Sequence, residues 1–375
     1  MTALLPDIDP DGLMEFSVVF TDRSLNSMSA AFQQVMRDLS GMLKEVYRAD
    51  AVALIPGGGT FAMEAVARQL ATDQTVMVIR NGWFSYRWTQ IFEAGDLPYD
   101  EIVMPARRQG NDPQSPFAPA PIEEVEAKIA EKRPAVVFAP HVETSAGMIL
   151  PDDYIARVAK AVHDVGGLMV LDCIASGCAW VDMKATGVDV LISAPQKGWS
   201  ASPAAGCVMM SKRAVDVVKS RKSNSFAVDL GKWLSIMETY EGGGHAYHAT
   251  MPTDALRGFR DTMIETRDYG FDKLRDAQWE QGEKVRGLLR DRGIRSVAAD
   301  GFAAPAVVVA YTERDDVKTG KAFAEHGVQI AAGVPLMVGE GDDYKSFRLG
   351  LFGLDKLKDV DASVGRLEKV LDAVF

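Results

Sequence analysis

Cysteine is scarce: three residues in 375, Cys173, Cys178 and Cys207, with no paired spacing. That excludes a secreted disulfide scaffold and makes a reducing compartment, the cytoplasm, the expected location. The five histidines show no zinc-motif spacing, which argues against a zinc hydrolase. No apolar run approaches the roughly 20 residues of a membrane span. Basic residues are outnumbered, 41 against 52 acidic, for a formal net charge of −11. A broad nucleic-acid footprint needs the opposite balance, so neither nucleic acid nor membrane is an expected partner. The opening MTALLPDIDPDG is acidic and lacks the basic-then-apolar signature of a secretory signal. Repeats and low-complexity tracts are absent.

What remains is ordinary globular material, 47% hydrophobic and 25% charged. The length suggests two domains at about 150 residues each. Residues 1–20 read as an irregular arm rich in Asp and Pro. Met28, Phe32, Val35, Met36, Leu39, Met42, Leu43 and Val46 recur at helical spacing. Then short apolar runs alternate with helical patterns: AVALIP (51–56), TVMVIR (75–80), AVVFAP (135–140), LMVLD (168–172), DVLISAP (189–195) and AGCVMMS (205–211). Such alternation predicts an α/β fold with a mostly parallel sheet between helices. After Pro252 the pattern changes. A long charged helix, broken near Gly270, leads into PAVVVAYT, a helix at DVKTGKAFAEHG, VQIAA, FRLGLFG and a closing amphipathic helix. The expected division is an arm (1–20), a large α/β domain (21–255), and a linking helix with a smaller C-terminal α+β domain (256–375).

Ligands of parallel sheets sit beyond the carboxyl ends of the strands. The residues with chemical potential fall there: Gly57–Thr60, Asn81–Phe84, His141–Thr144, Asp172 and Gln196-Lys197. In PGGGTFAME, three glycines between strand and helix allow close approach to an anion, and the helix start offers free N–H groups. The plain alternative is a tight turn. A sharper one is the dinucleotide fingerprint G-x-G-x-x-A (Gly57, Gly59, Ala62), with Arg80 standing where an NADP-type arginine could. Lys197 follows a buried strand among small and aromatic neighbours. If desolvated there it favours a free amine, able to condense with a carbonyl; the alternative is a solvated surface lysine. Asp172 could be a helix cap or a metal ligand, or could hold the protonated nitrogen of a pyridine ring. A phosphate cradle, a half-buried lysine and an aspartate together match what pyridoxal 5′-phosphate asks of a protein.

With these pieces in order, the sequence resembles the class V aminotransferases of pyridoxal-phosphate fold type I, nearest the alanine–glyoxylate and serine–pyruvate branch. The resemblance runs from about Ser24 to the C-terminus. It rests on PGGGTFAME, NGWFSYR, HVETSAG, VLDCIASG, SAPQKGW, AYHATMP and FRLGLFG. It implies a seven-stranded, mostly parallel sheet, with Lys197 as the Schiff-base lysine and Asp172 as partner of the pyridinium nitrogen. Gly58, Gly59, Thr60 and Gln196 are implied phosphate contacts. Phe84 is implied on one face of the cofactor and Ile174 on the other, with Thr144 beside the ring oxygen. Tyr247 and Thr250 match residues that reach the phosphate from a neighbouring subunit, which implies a homodimer with shared active sites. Arg348 matches the arginine that grips the substrate carboxylate.

Two segments depart from the family. The usual Pro-Gly-Pro opening is DPDGLMEFSVVF here, and the His-Arg-Ser step is Asp22-Arg23-Ser24. Both fall where substrate side chains are read. The implied activity is ping-pong transamination from a small amino acid to a 2-oxo acid such as glyoxylate or pyruvate. The alternatives are another class V chemistry (a lyase, or a desulfurase, which needs a reactive cysteine) and an NADP-dependent dehydrogenase built on the Gly57–Ala62 turn. His141 and His248 are expected to be structural hydrogen-bonders.

Overall fold

The computed structural model describes residues 8–375; the first seven residues of the expected arm lie outside the described residues. Residues 8–29 form neither helix nor strand, and leave Leu13, Phe16 and Val18 exposed.

The main elements follow in chain order, short turns aside. They are α1 (Ala30–Tyr47), β1 (Ala51–Pro56), α2 (Gly59–Leu70), β2 (Thr75–Arg80), α3 (Trp83–Gly95), β3 (Asp100–Pro105), α4 (Ile122–Lys132), β4 (Val136–Pro140), α5 (Asp152–Asp164), β5 (Leu168–Asp172), β6 (Val190–Ser193) and β7 (Ala205–Met210). Then come α6 (Lys212–Ser220), α7 (Leu230–Glu241), α8 (Thr253–Tyr269), α9 (Phe271–Asp291), β8 (Val307–Tyr311), β9 (Ala331–Ala332), β10 (Ser346–Gly350) and α10 (Val360–Val374).

Strands β1–β7 form one sheet in the order β1-β7-β6-β5-β4-β2-β3. β7 runs antiparallel to both of its neighbours, and the remaining pairs are parallel. Every residue of β4, β5, β6 and β7 is buried, as continuous apolar runs require when both faces are covered. The carboxyl ends of β1, β2, β4, β5 and β6 therefore open on one side.

α1 starts where Ser29 Oγ accepts from the Phe32 N–H and ends at Arg48 in the left-handed region (φ 58°). Its inner face carries the expected Phe32, Val35, Met36, Leu39, Met42 and Leu43. Met28 instead precedes the helix and is exposed, Val46 is half-buried, and Tyr47 completes the buried stripe. The long charged helix breaks at Gly270 (φ 112°), as expected.

A second, three-stranded antiparallel sheet, β8-β10-β9, packs its core against α9 and α10. Here two readings change. The helix expected across DVKTGKAFAEHG is two single turns, Asp315–Lys318 and Lys321–Ala324, separated at Gly320 (φ 82°). The strand expected from VQIAA shrinks to Ala331–Ala332, both exposed. Elements that periodicity did not reveal include α3, β3, α6 and α7.

Candidate active site

A cavity of about 200 Å³ lies at the carboxyl ends of the parallel strands. Gly59, Thr60, Phe84, Thr144, Asp172, Ile174, Gln196 and Lys197 line it, and so do Met63, Arg87, Val142 and Ala175. Gly58 is the N-cap of α2 at its edge. A larger cavity, about 670 Å³, sits between residues 114–116, the end of α9 and β8. It holds none of the expected site residues.

Local packing explains why the Gly57–Thr60 loop has this shape. Gly57 has φ 120°, a conformation that glycine alone adopts without strain. A Cβ on Gly59 would stand 2.4 Å from Ile174 Cδ1, so the glycine makes room for the isoleucine inside the cavity. Gly206 on β7 does the same behind the loop, where a Cβ would meet Ala62 Cβ at 2.3 Å and the Gly58 carbonyl oxygen at 2.8 Å. Gly206 carried no signal in the sequence beyond its type.

Phe84 is set by the start of α3. The fully buried Glu143 carboxylate accepts from the Phe84 N–H (3.2 Å), the Ser85 N–H (2.9 Å), Ser85 Oγ (2.7 Å) and Ser145 Oγ (2.7 Å). A carboxylate at a helix start satisfies its orphan N–H groups and complements its dipole. Gly82 must lack a side chain, because a Cβ would fall 2.8 Å from Glu143 Cγ. Of the neighbouring aromatics, Trp88 is core, packed on Phe138 at 4.5 Å between ring centroids, and Trp83 leans on Tyr86. Phe84 is the aromatic of this segment that faces the cavity.

Lys197 stands on a clamped loop. Next to it, Trp199 is buried among Tyr47, Trp180, Phe259 and Phe271. Gly198 passes so close to Gly177 that a Cβ would lie 2.2 Å from its carbonyl oxygen. Ser200 Oγ accepts from the Leu354 N–H at 2.7 Å, tying the loop to the C-terminal part of the chain. Burial, followed by the charge of Arg348, holds the Lys197 amine below the ordinary lysine value, with Asp172 acting in opposition. Its Nζ lies 5.2 Å from the centre of the Phe352 ring.

Asp172 ends β5 and is 8% exposed, with Oδ1 accepting from the Ile174 N–H at 2.9 Å. Burial pushes its pKa up to about 7, and Glu143 adds to the shift. His141 donates or accepts at Ser176 Oγ (2.7 Å), and burial pushes it down to about 4, so it is neutral at physiological pH. Arg348, on β10, donates from Nε to the Ala332 carbonyl (2.8 Å), with its guanidinium 5.5 Å from the centre of the Phe84 ring. Tyr247 and Thr250 do not join the cavity. They are exposed and hydrogen-bond each other at 3.2 Å. His248 reaches the Phe226 carbonyl instead.

Arg87 was missed. It sits one turn after Phe84 on α3, and Nη1 donates to Thr60 Oγ1 at 3.1 Å. Its signal in the sequence was spacing alone, three residues on from Phe84.

The topology removes the dinucleotide reading. A dinucleotide fingerprint works inside a βαβ unit of adjacent strands. Here four strands separate β1 from β2. Arg80 is also committed, donating to Thr89 Oγ1 at 2.6 Å and lying over Tyr86. The desulfurase reading loses its nucleophile, because all three thiols are buried and burial pushes each of them up, Cys178 to about 12.

Fold and site together define a pyridoxal-phosphate enzyme. The residues present fit that cofactor: the Gly59 cradle, a buried carboxylate without a cationic partner, and a lysine whose pKa is held below the ordinary value line one cavity. The model of the family "Aminotransferase class-V" matches residues 17–361, and the chain belongs to that family, making it a pyridoxal-phosphate-dependent aminotransferase. The chain is 28% identical over 360 residues to a 2-aminoethylphosphonate–pyruvate transaminase of Burkholderia mallei, covering 92% of this chain and 90% of that protein. It is 25% identical over 348 residues to a protein named soluble hydrogenase small subunit of a Synechococcus species, covering 92% and 86%. Among solved structures, an alanine–glyoxylate aminotransferase from a Nostoc species shares the fold at TM-score 0.77 and 24% identity, over 92% of this chain and 87% of that one.

Proposed function

We propose that this aminotransferase moves the amino group of a small amino acid to a 2-oxo acid such as glyoxylate or pyruvate, in a ping-pong cycle, with Lys197 as covalent anchor and proton carrier. One observation carries the reading. Asp172 and Lys197 line one cavity, the Arg348 guanidinium lies 5.5 Å from the centre of the Phe84 ring that also lines it, and none of the three forms an ion pair among the described residues.

Bound there, pyridoxal phosphate supplies an electron sink for the pair left at the substrate Cα when its proton departs. The rest is work for this chain's residues. Arg348 presents a planar fork suited to a carboxylate and so orients the substrate. The Lys197 amine, its pKa held below the ordinary lysine value by burial and by Arg348, takes the Cα proton and returns it, as a general acid–base group must. Asp172 places a negative charge against the ring nitrogen. Phe84 and Ile174 hold the two ring faces, and Thr144 stands beside the ring oxygen. Gly58, Gly59, Thr60 and Gln196 take the phosphate, joined by the partner subunit's Tyr247 and the partner subunit's Thr250. The exposure of those two residues in their own chain supports a shared site in a homodimer, as do the uncovered Leu13, Phe16 and Val18 of the arm.

The test is to load the purified protein with pyridoxal phosphate and add single amino acids, watching the visible absorbance of the lysine-bound cofactor. Small amino acids should convert it and the paired 2-oxo acids restore it. Lys197→Ala should lose both responses while keeping its circular dichroism. Retained turnover in that variant overturns the assignment of the base.

A further inference from the structure

We propose that Arg87 supplies the positive charge that balances the cofactor phosphate; this rests on the function just proposed. The phosphate contacts assigned above are all neutral: backbone N–H groups, hydroxyls and the amide of Gln196. A phosphate monoester carries about −1.5 to −2 at pH 7. The start of α2 offers the equivalent of about half a positive charge. A net charge of roughly one or more is left over.

Arg87 lies where that charge belongs. Thr60, the second residue of α2, accepts its Nη1 at 3.1 Å, so the guanidinium is anchored to the phosphate loop itself. The N–H groups of Gly59 and Thr60 precede the first helical hydrogen bonds of α2, made by Phe61 and Ala62, and both residues line the cavity. A guanidinium has five N–H donors. Among the described residues, Arg87 makes no ion pair, and its hydrogen bond to Thr60 leaves most of the fork unengaged. Its body rests on Phe84, 5.0 Å from the ring centre, which fixes its direction. The other cations of the site have other assignments: Lys197 is the covalent anchor, and Arg348, with its Nε on the Ala332 carbonyl of β9, is kept for the substrate carboxylate. α3 thus serves both parts of the cofactor, with Phe84 against the ring and Arg87 one turn on at the phosphate.

The test compares two ligands on cofactor-free protein: pyridoxal phosphate and pyridoxal, which has the ring and aldehyde without the phosphate. Dissociation constants come from equilibrium dialysis and tryptophan quenching. Arg87→Gln should weaken pyridoxal phosphate about 10- to 100-fold, the range for a hydrogen bond to a charged group, and leave pyridoxal unchanged. Arg87→Lys, which keeps the charge, should recover most of the loss. Inorganic phosphate should compete with pyridoxal phosphate on the wild type and lose that competition in Arg87→Gln. Equal weakening of both ligands marks a structural role and overturns the proposal, as does unchanged affinity for both. A wild type that binds pyridoxal phosphate no better than a surface lysine would overturn the cofactor assignment of the whole cavity, and this inference with it.

Discussion

Replacing Asp172 by Asn tests the electrostatics of the site without touching its shape. The carboxyl has an ordinary value of 3.8 and is pushed up to about 7 by burial. That displacement corresponds to roughly 4 kcal/mol between the two protonation states. The sign follows from proton counts. Between about pH 4 and pH 7 the folded, cofactor-free protein holds a proton at Asp172 that the unfolded chain has released. Stability therefore falls as pH rises through that window. Asn cannot ionise, and its Oδ1 can keep the bond from the Ile174 N–H. His141 works in the opposite direction. Its value is lowered from 6.5 to about 4, so it adds stability as pH rises over nearly the same range. The raw wild-type curve thus hides the effect, and the difference between the two proteins reveals it.

The assay is urea unfolding of both cofactor-free proteins at a series of pH values from 4 to 8. The stability of Asp172→Asn minus that of the wild type should be flat near pH 4, climb through the window, and level off above pH 7 by an amount on the order of 4 kcal/mol. Loading the cofactor should reverse the ranking, because a ring cation gives the wild-type carboxylate a partner and gives Asn none. Parallel curves for the two cofactor-free proteins, with no pH-dependent difference, would refute the account of Asp172 as a buried, unpaired carboxyl.

Gly206→Ala should destabilise the fold by about 1–3 kcal/mol, since its Cβ meets the backbone oxygen of Gly58 as well as Ala62; thermal or urea unfolding reads this directly. Arg348→Gln should lower kcat/KM for the amino acid by about 10- to 100-fold while leaving the dissociation constant of pyridoxal phosphate unchanged, and a parallel loss of cofactor would move Arg348 out of its assigned role. Mixing a Lys197→Ala chain with a Tyr247→Ala/Thr250→Ala chain should restore activity to about a quarter of the sites, because only the mixed dimer pairs a good lysine with good partner hydroxyls. No recovery after subunit exchange, with mixed dimers verified, would place Tyr247 and Thr250 outside the site.

The parts of this architecture that the sequence displayed are those settled by short-range physics. Continuous apolar runs such as LMVLD and AGCVMM have to be buried on both faces, and they are. The five strand ends carrying chemistry could be read from the same runs. What stayed hidden depends on partners far away in the chain. α3 begins WFSYRW, aromatic on several faces, with no charged stripe to announce a helix. Its start is satisfied by Glu143, some 58 residues away from Ser85. Arg87 was invisible for the same reason: its place at Thr60 follows only once α3 is known to be helical. The reversed direction of β7 is a matter of pairing, which an apolar run does not encode. In the C-terminal part, DVKTGKAFAEHG has helical periodicity, but Gly320 in the left-handed region divides it into two turns.

The site also gathers several charges that have no partner of opposite sign. Many surface charges elsewhere are paired, as Arg157 is with Glu123 and Glu126, and Arg107 with Glu124, while Arg80, Arg213 and Arg221 also bond to neutral groups. In the cavity, Asp172 is buried with only a backbone donor, and Lys197 is desolvated beside an aromatic ring. Arg87 and Arg348 share the Phe84 ring and bond to a hydroxyl and a carbonyl. Asp172 is the buried member of the set, and burying a carboxyl with a single backbone donor is unfavourable. Each of these groups has a counterpart in the proposed chemistry: a ring nitrogen for Asp172, a phosphate for Arg87, a substrate carboxylate for Arg348 and an aldehyde for Lys197. In that proposal one molecule answers three of them, with a protonated heteroaromatic ring, a phosphate and a carbonyl, and leaves Arg348 for a second, carboxylate-bearing molecule beside it. That set of requirements is narrower than any one of the sequence motifs, and it is why the charge pattern, more than the glycine loop, carries the functional conclusion.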